Sequence, residues 1–220
     1  AQTDFSVFHR TARWLAAGGG PDIYRRLDEP TGWYHCLPPL GTVLVLPLAP
    51  LPAPVAAIIW GAFNLGVVGL MAWALRQVLR RLDRHGPLFA GTYPWALLVL
   101  LVLSSGALQV GQYTVLIVAC WVLYLVVSAH GRPFGAALLL GAPATVKFYP
   151  ALVWAVPVAL RRWREVAWLP VVFALMFTLV PLAVYGPRAW ELTVGYFQGN
   201  VSGEVKRLDR FYDLGAPSTE

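Results

Sequence analysis

A single charged residue, Lys147, stands in the otherwise uncharged stretch from Phe134 to Leu160. Its ammonium reads in two ways. It is a lysine snorkelling from a helix end, or a cation held at membrane depth for an anionic head group such as a lipid phosphate, which lysine binds as a point charge. Tyr149, two residues on, could add a hydroxyl donor. Gln109 and Gln112 flank Gly111 between two apolar runs. They form either a polar hairpin cap or a sugar-binding amide site, with Gly111 letting substrate approach the backbone. Asp4 precedes an aromatic, basic segment and in isolation is a candidate helix N-cap. Arg10, Arg13, Lys206 and Arg207 are further cations outside the apolar runs, and His9 and His35 lie there too. No His, Asp or Glu spacing suggests a metal. No Walker loop, dinucleotide fingerprint or nucleophile elbow occurs, so nucleotide chemistry has no support.

The elements that must position these groups are set by where charge is missing. Hydrophobic residues make up 58% of the 220 residues and charged ones 13%, about half the charge of a soluble chain. Pro30–Leu75, His85–Gly131 and Val166–Pro187 contain no Asp, Glu, Lys or Arg. A bilayer core of roughly 30 Å takes about 20 apolar residues as a helix. The runs lack the alternation of barrel strands. The expectation is therefore an all-α membrane protein, a polytopic helical bundle. Spans are expected over 53–75, 93–108, 114–128, 134–146, 151–160 and 167–185, the fourth and fifth being short. Gly61, Gly66 and Gly69 are expected to admit neighbouring helices. Five prolines between Leu37 and Pro52 bar a regular span there. Ser6–Ala17 reads as a short amphipathic helix, with Phe8, Ala12, Leu15 and Ala16 against Arg10 and Arg13. The domains read as an outer N-terminal loop (1–36), a transmembrane bundle (37–185) and an outer C-terminal loop (186–220).

The formal net charge of +6 does not point to nucleic acid, because the basic residues sit in short segments between apolar runs. Alternating the spans puts Arg76–Arg84, Gly131–Arg132 and Arg161–Glu165 on one side. Those short loops hold eight Lys and Arg against Asp83 and Glu165, as cytoplasmic loops do. Asp4, Arg10, His35, Gln112, Lys147 and Tyr149 then share the extracytoplasmic side. Of the two cysteines, Cys120 reads as a packing residue and a pair with Cys36 is not expected.

The order of motifs resembles glycosyltransferase family 87. The series begins with Asp4-Phe5-Ser6-Val7-Phe8-His9-Arg10-Thr11-Ala12, Ile23-Tyr24, Pro38-Pro39 and Ile59-Trp60…Asn64. It continues through Gly111-Gln112, Leu138-Leu139-Leu140-Gly141…Lys147-Phe148-Tyr149-Pro150 and Arg161-Arg162-Trp163-Arg164. The family's Tyr-Pro-Pro-like element reads Trp33-Tyr34-His35-Cys36-Leu37-Pro38-Pro39 here, with the tyrosine displaced. The resemblance implies the GT-C fold and a polyprenyl-phosphate sugar donor such as polyprenyl-phosphate mannose. It implies a lipid or glycan acceptor, and Asp4 as the base. Gln112, Lys147 and Tyr149 would lie near substrate, with Arg10 and His35 as further binding candidates and no cofactor. It also implies helices before Asp4 and after the last span, so the chain reads as a fragment. A transporter of lipid-linked sugars and a non-catalytic membrane subunit are the other classes. No internal repeat of the transporter kind is evident. Reporter fusions at Arg81 and Gln112 are expected on opposite sides of the membrane; the same side for both refutes the alternation.

Overall fold

A computed structural model describes residues 4–24, 27–28, 33–35, 37–82 and 88–200. Cys36, Lys206 and Arg207 lie outside the described residues. The first helix, α1 (Asp4–Ala16), begins two residues before the expected start. Apolar residues at 5, 8, 12 and 15 follow helical spacing, and Phe5, Phe8, Ala12 and Leu15 are all buried. Ala16, expected on that face, is exposed instead. The helix stops at Gly18, whose φ of +90° suits glycine. A 3-10 turn, Pro21–Tyr24, follows. Next come two short antiparallel strands, β1 (Leu27–Asp28) and β2 (Trp33–Tyr34). The proline-broken stretch forms only α2 (Pro39–Val43) and a 3-10 turn at Leu46–Leu48, in keeping with its prolines.

The bundle proper starts with α3 (Ala53–Leu82) and α4 (Leu88–Val110). Both are longer than expected: α3 runs on through Arg76, Arg80 and Arg81, because arginine is a good helix former and its charge reaches water past the apolar part. Then come α5 (Thr114–Ala129) and α6 (Pro133–Val146). A 3-10 segment, Tyr149–Trp154, leads into α7 (Ala155–Ala159). The last apolar stretch is one continuous helical path of α8 (Trp163–Ala174), a π-helical turn at Leu175–Leu179, and α9 (Val180–Tyr185). Pro181 has no N–H to offer the carbonyl of Phe177, and the widened turn just before it absorbs that loss.

Among the described residues three helical stretches are long and apolar enough to cross a membrane: Ala53–Arg81, Thr92–Val110 and Trp163–Tyr185. Thr114–Ala129 and Pro133–Val146 are apolar but shorter. Large apolar side chains such as Ile58, Leu65, Val102 and Leu152 point outward. In water that would be an aggregating surface; in lipid it is an ordinary wall.

Close packing occurs elsewhere than expected. No described residue lies within 4 Å of the open sides of Gly61, Gly66 and Gly69. The tight approach is at Gly141 of α6, where an added Cβ would stand 2.7 Å from Val172 Cγ1 of α8. Ala136, Ala137 and Leu140 of α6 pack with Leu169, Val172 and Tyr124 in the same layer. A second layer joins Val67, Val68 and Met71 of α3 to Val115 and Ala119 of α5.

The segment after the last span begins with a further helix, α10 (Arg188–Asn200), which its polar composition concealed. Leu192 and Tyr196 are buried, and Gly195 and Gly199 let the backbone sit directly on Pro21 and Tyr24. Gly141→Val should force α6 and α8 apart and cost about 1–3 kcal/mol, read as a lower thermal midpoint in detergent. An unchanged midpoint would mean the two helices are not held at Gly141.

Candidate active site

The turn between α4 and α5 is closed by Gly111, with a φ of +71°. Gln112 N donates to Ala107 O at 2.9 Å, finishing α4. Trp60 of α3 donates from Nε1 to Gly111 O at 2.9 Å. A Cβ on Gly111 would stand 2.6 Å from Phe5 Cβ. The space expected to admit a substrate is therefore filled by Phe5. Phe5 also stacks on Trp60 and on His9, at 5.7 and 5.9 Å between ring centroids. His9 Nε2 lies 3.1 Å from Leu48 O, and Phe8 packs on Tyr113, whose hydroxyl donates to Gly41 O at 2.6 Å. The start of α1 is thus pinned to three parts of the bundle.

This docking brings Asp4, the neighbour of Phe5, to the turn that carries Gln112. Asp4 is half-buried, and its carboxylate makes no hydrogen bond or ion pair with a described residue. Gln112 is half-buried and accepts from Thr114 Oγ1 at 3.2 Å through Oε1. Its amide N–H groups have no acceptor among the described residues. A carboxylate only accepts and an amide nitrogen only donates, so the pair can take opposite sides of a sugar hydroxyl. Arg10 lies further along α1 and donates from Nη2 to Ser6 Oγ at 3.3 Å.

Lys147 caps α6 in extended backbone (φ −143°, ψ 139°). Its Nζ lies 5.9 Å from the centroid of the Tyr149 ring, so the ring face, not the hydroxyl, meets the ammonium. Val146, the preceding residue, shares a buried cluster with Phe5, Phe8, Leu37, Leu40 and Tyr113. That cluster links the two groups of candidates. Beside it lies an apolar cavity of about 270 Å³ whose walls include Leu40, Tyr113, Ile117, Pro143, Val146 and Val180.

His35 is buried, with Nε2 3.2 Å from Thr42 Oγ1 and its ring 5.5 Å from that of Tyr24. Tyr24 meets Tyr196 edge-on at 5.5 Å, and Tyr196 meets Phe148, next to Lys147, at 6.0 Å. The hydroxyls of Tyr24 and Tyr185 are buried without a partner among the described residues. Burial, with the nearby Tyr185 and Tyr196 phenols adding to it, pushes the Tyr24 phenol far above its ordinary range. It is a neutral donor at any physiological pH. Tyr24 stands in the sequence only as part of the Ile23-Tyr24 motif and Tyr185 only as the end of the last apolar run, so the signal available was a tyrosine next to each polar break.

A family model described as glycosyltransferase family 87 matches residues 35–214. The match takes in His35, Gln112, Lys147 and Tyr149 and starts after Asp4 and Arg10. Comparison with curated proteins and with solved structures gives no match. Tyr24→Phe removes an unsatisfied buried hydroxyl and should hold or raise stability, by up to about 1 kcal/mol. A clear fall in thermal midpoint without substrate would show that the hydroxyl is bonded in the resting protein.

Proposed function

The chain belongs to glycosyltransferase family 87, and we propose that it moves a hexose, mannose first among candidates, from a polyprenyl-phosphate carrier to a lipid or glycan acceptor. It does so at the extracytoplasmic face of the cell membrane, which it crosses several times. The observation that carries this reading is the docking of α1. It holds a carboxylate without a described partner against the Gln112 turn, on the same buried cluster that leads to Lys147.

In this mechanism the Asp4 carboxylate takes the proton of the acceptor hydroxyl as that oxygen attacks the anomeric carbon. The bond from that carbon to the phosphate oxygen breaks, and polyprenyl phosphate leaves with the electron pair. The leaving phosphate gains charge, which a fixed cation stabilises. Lys147 fills that role, with Arg10 as a second cation nearer Asp4. Gln112 holds a sugar hydroxyl, Tyr149 lines the donor site, and His35 supports it through Tyr24. The apolar cavity beside Val146 suits the first isoprene units of the carrier, since it offers almost no polar wall.

The test is turnover of polyprenyl-phosphate mannose by the full-length protein in liposomes with lipid and glycan acceptors. Asp4→Asn should lower kcat by about 100-fold or more, with donor KM little changed. Lys147→Gln should chiefly weaken donor use. No sugar transfer by the unaltered protein sinks the reading, and full turnover by Asp4→Asn removes the base from Asp4.

A further inference from the structure

The opposite end of the bundle, where α5 meets α6 and α7 meets α8, holds a cavity of about 460 Å³ that sugar transfer does not use. Its walls come from Ser128, Gly131 and Pro133 on one side and Arg161, Arg162 and Arg164 on the other. Glu165 is buried within it. It accepts hydrogen bonds from Tyr124 OH at 2.9 Å, from Ser128 Oγ, and from Arg162 Nη1 at 3.0 Å. That single carboxylate neutralises Arg162. Arg161 and Arg164 are exposed, and neither side chain bonds to a described residue. Arg161 and Arg164 therefore bring to the cavity two positive charges that no described residue pairs.

Two further features favour an anion there. Arg161 has a φ of +54°, in the left-handed region that is unfavourable for a residue with a Cβ. It is held there by the closed turn in which Arg162 N donates to Pro157 O at 2.8 Å. A left-handed residue here ends α7 as helices commonly end, and it sets Arg161 in the wall of the cavity. Second, α6 and α8 both start at this cavity and run in the same direction. Neither has a side chain capping its first amides, so the positive ends of both helices face the cavity, that of α8 offset in part by Glu165 in its first turn and that of α6 short of one N–H at Pro133. The rim is aromatic: Trp163 is 62% exposed, and Phe134 meets Trp168 edge-on at 5.3 Å. Aromatic rings and arginines together at the end of apolar helices match the headgroup layer of a bilayer.

We propose that this cavity is a phosphate-binding site, separate from the sugar-transfer site, and that an anionic membrane lipid supplies the phosphate through its head group. Arginine pairs bidentately with phosphate oxygens, and the free amides take what remains. The inference does not depend on the sugar-transfer reading, because none of its residues belongs to that site.

The full chain is placed in nanodiscs of phosphatidylcholine, with and without phosphatidylglycerol, and the lipid retained after transfer to detergent is counted by native mass spectrometry. The unaltered protein should retain phosphatidylglycerol over phosphatidylcholine. Arg161→Gln with Arg164→Gln should weaken that retention about tenfold or more. Arg162 and Glu165 stay untouched, and an unchanged thermal midpoint establishes that the variant folds. Equal retention by protein and variant, or no preference over phosphatidylcholine, overturns the lipid site. A parallel arm adds inorganic phosphate in detergent. Stabilisation by phosphate that the double variant loses, without lipid retention, overturns the membrane as the source.

Discussion

Phe5 occupies the space that any side chain at position 111 would fill, and the arrangement around the candidate site depends on this contact. An amphipathic helix of 13 residues is marginal on its own, so α1 needs the bundle to hold its shape. Gly111 supplies the opening, Trp60 fixes the turn from one side, and Tyr113 and His9 tie α1 to the proline-broken segment. Each of these polar contacts ends on a backbone carbonyl. That is how a proline-rich segment, which loses several backbone donors, can still be satisfied where water is scarce. Asp4 gains its placement from this packing, since its carboxylate makes no bond to a described residue.

The two ends of the bundle handle buried charge differently. At one end Glu165 is surrounded by Arg162, Ser128 and Tyr124, so the carboxylate has partners for both oxygens. A buried charge paired this way is held in place, and removing one partner would leave the other exposed to the cost of desolvation. At the other end, Asp4 and the phenols of Tyr24 and Tyr185 are without described partners. Partners of this kind fix Glu165 within the bundle, whereas the groups at the α1 end keep hydrogen-bonding capacity that no described residue uses.

The fold class could be read from the sequence because runs without charge leave few other structures in lipid, and the breaks at Gly111 and Lys147 fall where polar residues interrupt those runs. What could not be read was which glycine faces a neighbour. Gly61, Gly66 and Gly69 have helix-packing spacing yet face open space, whereas Gly141, Gly195 and Gly199 carry the contacts. Spacing gives the periodicity of a face but not its partner. The α10 helix was hidden because Glu191, Gln198 and Arg188 dilute an apolar stripe of Ala189, Leu192 and Tyr196 with two glycines. Among site residues, Asp4 and Gln112 were named separately, and only the fold brings them to one turn. Tyr24 and Tyr185 gave too little local signal, because a buried hydroxyl without a partner is a tertiary fact.

Helix length bears on the proposed role of Lys147. The 14 residues of α6 extend only about 21 Å, several ångströms less than a hydrocarbon core of roughly 30 Å. On the proposed topology, α6 reaches the headgroup level at one end only if the bilayer thins or the other end sits inside it. Gly131 and Arg132 at its start are exposed and polar, which favours that end at the interface. Lys147 is then recessed, and the extended backbone after Val146 turns the chain away before another helical turn could lift it out. An ammonium recessed in this way on the proposed topology follows Val146, which lines the apolar cavity. A phosphate carried on an isoprenoid tail can meet both at once, whereas a water-soluble sugar phosphate would have to leave its hydration behind to reach the same place.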